Sequence, residues 1–335
     1  MTLWSSSPQG EVQPEELAFL ASRAQGAAMV ITAAALVSPE GKAFAGQPEI
    51  RWQWLDSLTQ WAKSIQTQGA KAILQLHHGG QRALVNQQGQ IFNVNQLTSS
   101  QIERIIHAFA QATEIALAAG FDGVEIMGAN GFLLQQFVSR QTNQRQDQWG
   151  EPFAFVQAVC QAVFSQAQAK PAFIVGYRFS PEEAGEQGLT MAETLQLVEQ
   201  LAQLPLQYVH ISLWDFFKKA RRGADPNAYR IALVHQQLNG RLPLIGVGNL
   251  TDIHKIQHAF ATGWAEFLAI GKAALLNPDW VARIATEQPL RSELDPQQAD
   301  RYGLSTGLWQ KCLQGASYLP VIKGQESATK FEQLY

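Results

Sequence analysis

The chain has 335 residues, 46% hydrophobic and 16% charged, with a formal net charge of -3. That length suits either two average domains or one large α/β barrel of about 250 residues plus insertions. The acidic balance argues against nucleic acid as a partner. The longest apolar run, residues 27–37, falls short of the roughly 20 residues that span a bilayer. No cationic stretch precedes an apolar core at the N-terminus, so no secretory leader is visible. Cys160 and Cys312 provide neither a disulfide framework nor a metal-ligand spacing. These features predict a cytoplasmic protein formed of a single domain over residues 1–335, with no membrane or nucleic-acid partner and no metal.

Short runs rich in β-branched residues recur at 28–32, 71–76, 123–126, 172–177, 208–212, 242–247 and 267–270. They are mostly continuous rather than alternating, as strands buried on both faces should be. Between them lie helical patterns. Segment 102–119 carries Ile105, Ile106, Phe109, Ala110 and Ala116 at helical spacing, and 191–204 follows the same rule. Strand–helix alternation predicts parallel strands joined by right-handed crossovers, here a (β/α)8 TIM barrel. Seven strands are visible and a barrel needs eight. The missing one belongs before residue 28, where only Met1-Thr2-Leu3-Trp4 remains, so the first strand is expected to be short or missing. An open doubly wound sheet is the other architecture this count allows. From about residue 287 a loop, a short amphipathic helix at 308–313 and a polar tail end the chain.

Barrels of this type place their chemistry at the C-terminal ends of the strands. The residues there are Thr2, Ala34, Gln75, His77, His78, Met127, Asn130, Arg178, His210, Ser212, Gly248, Asn249, Gly271 and Lys272. Gly246-Val247-Gly248-Asn249 and Ala269-Ile270-Gly271-Lys272 close the last two strands, where glycines let backbone N–H groups approach a phosphate. Lys272 would add a cation. Arg178 ends a buried strand, which is costly unless it meets an anion, either Glu125 or a ligand. His77 and His78 are adjacent on a strand and face opposite ways, so they cannot share a metal. His254 and His258 stand four apart on a helix but have no third ligand nearby, and read as a solvated face. The basic loop Lys218, Lys219, Arg221 and Arg222 reads as solvated, or as a mouth that draws in the phosphates of a ligand or an acidic substrate.

Several ordered motifs together resemble the old yellow enzyme family of FMN-dependent NAD(P)H oxidoreductases. They run from residue 1 to about 280. They include segment 16–24 with Met29-Val30-Ile31-Thr32, and Val37-Ser38-Pro39-Glu40-Gly41. Leu74-Gln75-Leu76-His77-His78-Gly79-Gly80 follows, then segment 120–134, which contains Val124-Glu125-Ile126-Met127-Gly128-Ala129-Asn130-Gly131-Phe132. Segments 142–150, 177–183 and 270–280 complete the match. The resemblance implies one FMN-binding TIM barrel that uses NADH or NADPH as reductant and passes electrons to a small-molecule acceptor. It implies that Thr2 bonds a flavin carbonyl, that Ala34 packs beside the ring and that Gln75 reads the pyrimidine edge. Arg178 would balance charge near N1, and Gly248, Asn249, Gly271 and Lys272 would hold the phosphate. Lys272 stands where the family carries arginine, so the charge is kept and the bidentate fork lost.

The substrate-facing residues depart from the family pattern. Asn130 is retained, and His78 matches the strand-end histidine, so these two are the catalytic candidates. Met127 occupies the usual His position and donates nothing. Phe132 occupies the position of the tyrosine proton donor, and Trp4 aligns with a second tyrosine. The expectation is a flavin reductase with impaired alkene-reducing residues and an unnamed acceptor. The alternatives are a non-catalytic FMN-binding paralogue, and a barrel enzyme without flavin acting on a phosphorylated metabolite. Assembly as a homo-oligomer is compatible with the sequence.

Overall fold

The structure, a computed structural model, describes residues 2–87 and 92–314. Seven strands lie side by side in chain order. They are β1 (Met29–Leu36), β2 (Lys71–His77), β3 (Gly123–Gly128), β4 (Ile174–Phe179), β5 (Tyr208–Ile211), β6 (Leu244–Gly246) and β7 (Phe267–Leu268). All six neighbouring pairs are parallel. Each expected run therefore forms a strand, in a curled α/β sheet.

The crossovers are helical. They are built from α1 (Pro14–Ala24), α2 (Leu55–Gln66), the single turn α3 (Leu84–Gln87), α4 (Ser99–Ala118), α5 (Leu133–Val138) and α6 (Ala154–Ala167). Next come α7 (Met191–Leu201), α8 (Arg230–Leu238), α9 (Ile253–Ala261), α10 (Lys272–Leu276), α11 (Trp280–Ala285) and α12 (Thr306–Leu313). The two clearest sequence periodicities become α4 and α7, and each starts at a capping box. Thr98 with Gln101 and Thr190 with Glu193 satisfy N–H groups that the first turn leaves open. The amphipathic segment at 308–313 lies within α12, and residues 315–335 of the expected polar tail fall outside the described residues.

Strand alternation divides the sheet chemically. Ala33, Ala35, Leu74, Leu76, Val124, Ile126, Val175, Tyr177, Val209 and Ile211 face outward and join the hydrophobic core beneath the helices. Ala34, Gln75, His77, Glu125, Met127, Arg178, Tyr208 and His210 fall on the opposite, inner face by the same alternation. That face is strongly polar although Gln75, His77, Glu125 and His210 are each buried.

No strand forms in residues 2–13, which run as loop before α1. Among the described residues, the outer edge of β1 carries only an isolated bridge from Leu36 to Glu49, and β7 has no partner beyond β6. Phe267, level with inner-facing Ile245, is accordingly 49% exposed. The inner face meets solvent there. Leu3 is nevertheless buried, and the Ser6 N–H bonds the Gly46 carbonyl at 3.2 Å, which lays the first residues beside the loop that follows β1.

Candidate active site

The inner face holds two register levels of functional side chains. The lower level aligns Ala34 with Gln75, Gln75 with Glu125, Glu125 with Gly176 and Gly176 with Tyr208. The upper level aligns Leu36 with His77, and Met127 with Arg178 and His210. One residue past the Leu76–Ile126 pair, His77 stands level with Met127.

Glu125 organises the lower level. Its Oε1 accepts from Gln75 Nε2 at 2.7 Å, and its Oε2 accepts from Tyr208 Oη at 3.1 Å and His210 Nδ1 at 2.9 Å. Burial pushes its pKa up, but His210, Arg178 and Gln75 outweigh that and hold it below the usual carboxylate range. Burial also lowers the His210 pKa, so the ring is neutral at ordinary pH. An ionised carboxylate only accepts, which puts the His210 proton on Nδ1 and leaves Nε2 as a lone pair. That Nε2 is buried and has no hydrogen-bond partner among the described residues.

Arg178 is not hydrogen-bonded to Glu125. Its Nη2 donates to Ser212 Oγ at 3.1 Å, and its buried Nε has no hydrogen-bond partner among the described residues. Ser212 Oγ lies 3.0 Å from Asn130 Oδ1. A guanidinium only donates, so the serine must accept from Arg178 and spend its own proton on Asn130. Asn130 Oδ1 thus faces two hydroxyls, Ser212 Oγ and Ser180 Oγ at 3.4 Å, with its NH2 group turned elsewhere. Asn130 sits at φ 59°, and its backbone N–H donates to Ser180 Oγ at 2.8 Å. The left-handed backbone, tolerated by asparagine, thus holds the side chain at the end of β3.

At the far strands, Gly248 has φ 140°, and a Cβ there would come within 2.6 Å of the Asp215–Phe216 backbone. The protein's own loop therefore demands this glycine, whatever else binds. Asn249 Nδ2 is 3.4 Å from Asp215 Oδ2. Gly271 caps α10 with no side-chain hydrogen bond, and Lys272 Nζ stands 5.4 Å from the Trp214 ring. Thr2 is half-buried, and Ala34 is buried beside Gln75.

His78 lies apart from this assembly. Alternation turns it to the opposite side from His77 and Gln75. Its ring is buried under Gly41, where a Cβ would approach within 2.5 Å, and it lies 5.1 Å from the Phe92 ring. Its Nδ1 accepts the Gly80 N–H at 3.0 Å. The strand-end histidine of the motif thus lies off the inner face, its buried Nε2 without a hydrogen-bond partner among the described residues and 3.9 Å from Glu40 Oε1, and its neighbour His77 takes the inner position. The sequence motif made His78 rather than His77 the catalytic candidate, although a period of two counted from Gln75 points to His77. It also passed over Gln47 and Tyr208, which lie outside the matched motifs, and Ser180, which lies within segment 177–183. Met127 is buried on the inner face, and Phe132 is half-buried with its ring 4.3 Å from that of His77. Trp4 lies 6.2 Å from the Phe44 ring, on the loop that follows β1.

The remaining sequence candidates settle elsewhere. Glu182 gathers the Arg221 and Arg222 backbone N–H groups and pairs with Arg230 at 2.6 Å, while Arg222 donates to the Gly188 carbonyl. The basic loop is thereby braced, and Lys218 and Lys219 stay exposed. His258 packs 4.7 Å from the Phe217 ring. Two cavities of about 480 and 510 Å³ lie against α4, and neither is lined by Gln75, Asn130 or Arg178.

The inner face fits the pyrimidine edge of a flavin. That edge alternates acceptors with an N–H, and here an unpartnered Arg178 donor, an unpartnered His210 acceptor and the Gln75 carboxamide share one surface.

The profile of the NADH:flavin oxidoreductase / NADH oxidase family matches residues 1–291. The probable NADH-dependent flavin oxidoreductase YqiG of Bacillus subtilis is 40% identical, over 96% of this chain and 92% of that protein. The NADH:acrylate oxidoreductase of Vibrio harveyi is 30% identical over 92% of the chain, which spans only 33% of that longer protein. Among solved structures, an old yellow enzyme homologue from Zymomonas mobilis superposes with TM-score 0.76 at 19% identity, covering 91% of this chain and 93% of that one. The Old Yellow Enzyme from Pichia sp. gives 0.73 at 21%, covering 87% and 82%. At such identities the likeness is one of fold, that of the old yellow enzyme TIM barrels.

Proposed function

The chain belongs to the NADH:flavin oxidoreductase / NADH oxidase family, and on that premise we propose an FMN-dependent NAD(P)H oxidoreductase with weak alkene-reducing capacity. Its electrons pass to a small-molecule acceptor, such as a quinone or oxygen, that needs no proton from a side chain. The observation that carries this reading is the pair of buried, unpartnered groups on the upper inner level, Arg178 Nε and His210 Nε2. Buried polar groups without partners are costly, and a bound ring edge would satisfy both.

FMN, when bound, supplies a two-electron carrier between nicotinamide and acceptor. Arg178 offsets negative charge gathering over the inner face, in a setting where burial strengthens its field. Gln75 would orient the ring edge with donor and acceptor on one side chain, Ala34 would leave room beside it, and Thr2 would bond a ring carbonyl. Gly248, Asn249, Gly271 and Lys272 would hold the phosphate, with Lys272 as counter-charge. Asn130 presents its NH2 group to the acceptor oxygen, aimed by Ser212.

Met127 and Phe132 limit what this site can reduce. Losing one preorganised donor to a developing oxyanion costs about 10² to 10³ in rate, and losing a general acid costs roughly 10² to 10⁴. An activated alkene needs both groups. A quinone needs neither in the electron-transfer step.

The purified protein is expected to be yellow, to release FMN rather than FAD on denaturation, and to bleach with NADH or NADPH without oxygen. Protein that neither carries nor takes up FMN refutes the reading. A flavin that stays oxidised with both nucleotides leaves a binding protein rather than a reductase.

A further inference from the structure

Gln47 is fully buried in the loop after β1, and two backbone contacts fix its orientation. Its Oε1 accepts the Ala43 N–H at 2.8 Å, and its Nε2 donates to the Ala34 carbonyl at 3.2 Å. A backbone N–H can only donate and a carbonyl can only accept, so the amide cannot be reversed. The same Nε2 stands 3.0 Å from His77 Nδ1. Because the amide nitrogen is the donor, Nδ1 must be the acceptor, and the single proton of a neutral ring then sits on Nε2. The ring is neutral, since burial in the sheet pushes its pKa down to about 3.

His77 Nε2–H is thus an oriented donor, buried and without a hydrogen-bond partner among the described residues. It lies on the same inner face as Gln75, level with Met127 on the adjacent strand and against the edge of Phe132. Those two positions are the ones that carry no polar hydrogen.

We propose that His77, held in its Nε2–H form by Gln47, donates a hydrogen bond to the carbonyl or quinone oxygen of the electron acceptor. In that role it adds a binding contact on the level where Met127 offers none, beside the Asn130 amide, and does not restore the family's paired donors or the proton missing at Phe132. The assignment rests on the reductase reading, and it restricts the acceptor to molecules that present an oxygen lone pair. His77 binds and orients the acceptor. It gives up no proton, because its N–H is that of a neutral ring.

The test uses cyclohexanone, a ketone with no alkene to turn over, and full-length protein with ¹⁵N-labelled histidine. Long-range ¹H–¹⁵N correlations should show His77 protonated on Nε2, and its N–H resonance should move as cyclohexanone is added. His77→Phe should raise the Kd for cyclohexanone roughly tenfold, the factor that corresponds to about 1.4 kcal/mol, with FMN content unchanged. A proton found on Nδ1 overturns the proposal. So does a resonance that ignores the ketone, or an unchanged Kd in His77→Phe. The first two readings need no variant, so a poorly folded mutant does not decide the matter. They also need no turnover: absence of FMN would sink the reductase reading alone, whereas FMN bleached by NADH with an unchanged Kd would sink only His77.

Discussion

Glu16 on α1 offers a worked test of the buried electrostatics beside the first residues of the chain. Its carboxyl is fully buried, accepts from Ser6 Oγ at 3.0 Å through Oε2, and leaves Oε1 without a partner. Burial raises its pKa from 4.5 to about 7, the Ser6 bond only partly opposing. An acid whose folded pKa is raised stabilises the fold below its unfolded pKa and loses that contribution as pH climbs through the folded value. At pH 8 the shift therefore costs about 3 kcal/mol, from 1.36 kcal/mol per unit. Glu16→Gln mimics the protonated carboxyl at every pH, and its amide oxygen can still accept from Ser6. The variant should be more stable than the parent by about 3 kcal/mol at pH 8, by roughly half that at pH 5.5, and hardly at all at pH 4. With an unfolding entropy near 2.1 cal/mol/K per residue over 335 residues, the pH 8 gain is a melting shift of about 4 °C. Urea unfolding at pH 8 and pH 5.5 measures it. No gain at pH 8, or an equal gain at both values, would refute the reasoning.

Three further outcomes follow from the inner face. Met127→His with Phe132→Tyr should raise turnover of a cyclic enone by at least about 10² with little change toward quinones; an unmoved enone rate in an FMN-loaded double mutant means that the pocket is shaped for another acceptor. Ser212→Ala removes the shorter of the two hydroxyl contacts on Asn130 Oδ1 and should slow acceptor reduction roughly tenfold, the equivalent of one hydrogen bond of about 1.4 kcal/mol. Bleaching by NADH should stay within about twofold, and an equal loss in both half-reactions would dismiss the relay. Arg178→Met should lower the reduction potential of bound FMN, because a buried positive charge is lost; an unchanged potential with intact FMN binding would make Arg178 a purely structural partner of the Glu125 cluster.

The sheet was legible because its strands are buried on both faces. Residues 71–76 and 123–126 read as mostly apolar runs, interrupted by Lys71, Gln75 and Glu125, and that composition places them in the sheet whatever the loops do. Position along a strand was legible too, which is why Gln75, Met127 and Arg178 could be named as strand-end residues. Side-chain partners were not. Glu125 read as the natural counter-ion of Arg178, yet its two oxygens go to Gln75, Tyr208 and His210. Three donors from two other strands converge there only through the parallel register, which sequence spacing does not encode. Gly248 shows the reverse: its glycine read as a phosphate approach, whereas its own neighbour, the Asp215–Phe216 backbone, already excludes a side chain.

The two inner histidines show why residue type alone could not assign roles here. His77 and His210 are both buried, both neutral and both placed near the C-terminal ends of parallel strands. What distinguishes them is the partner at Nδ1. Gln47 offers His77 a hydrogen, and Glu125 offers His210 a lone pair. The first ring must then present Nε2–H and the second a bare Nε2. One neighbour comes from a loop some thirty residues earlier and the other from a different strand, so neither lies in a motif with its histidine. A donor and an acceptor of fixed polarity thus arise from the same side chain twice. Exchanging the partners, rather than the histidines, is what would exchange the roles.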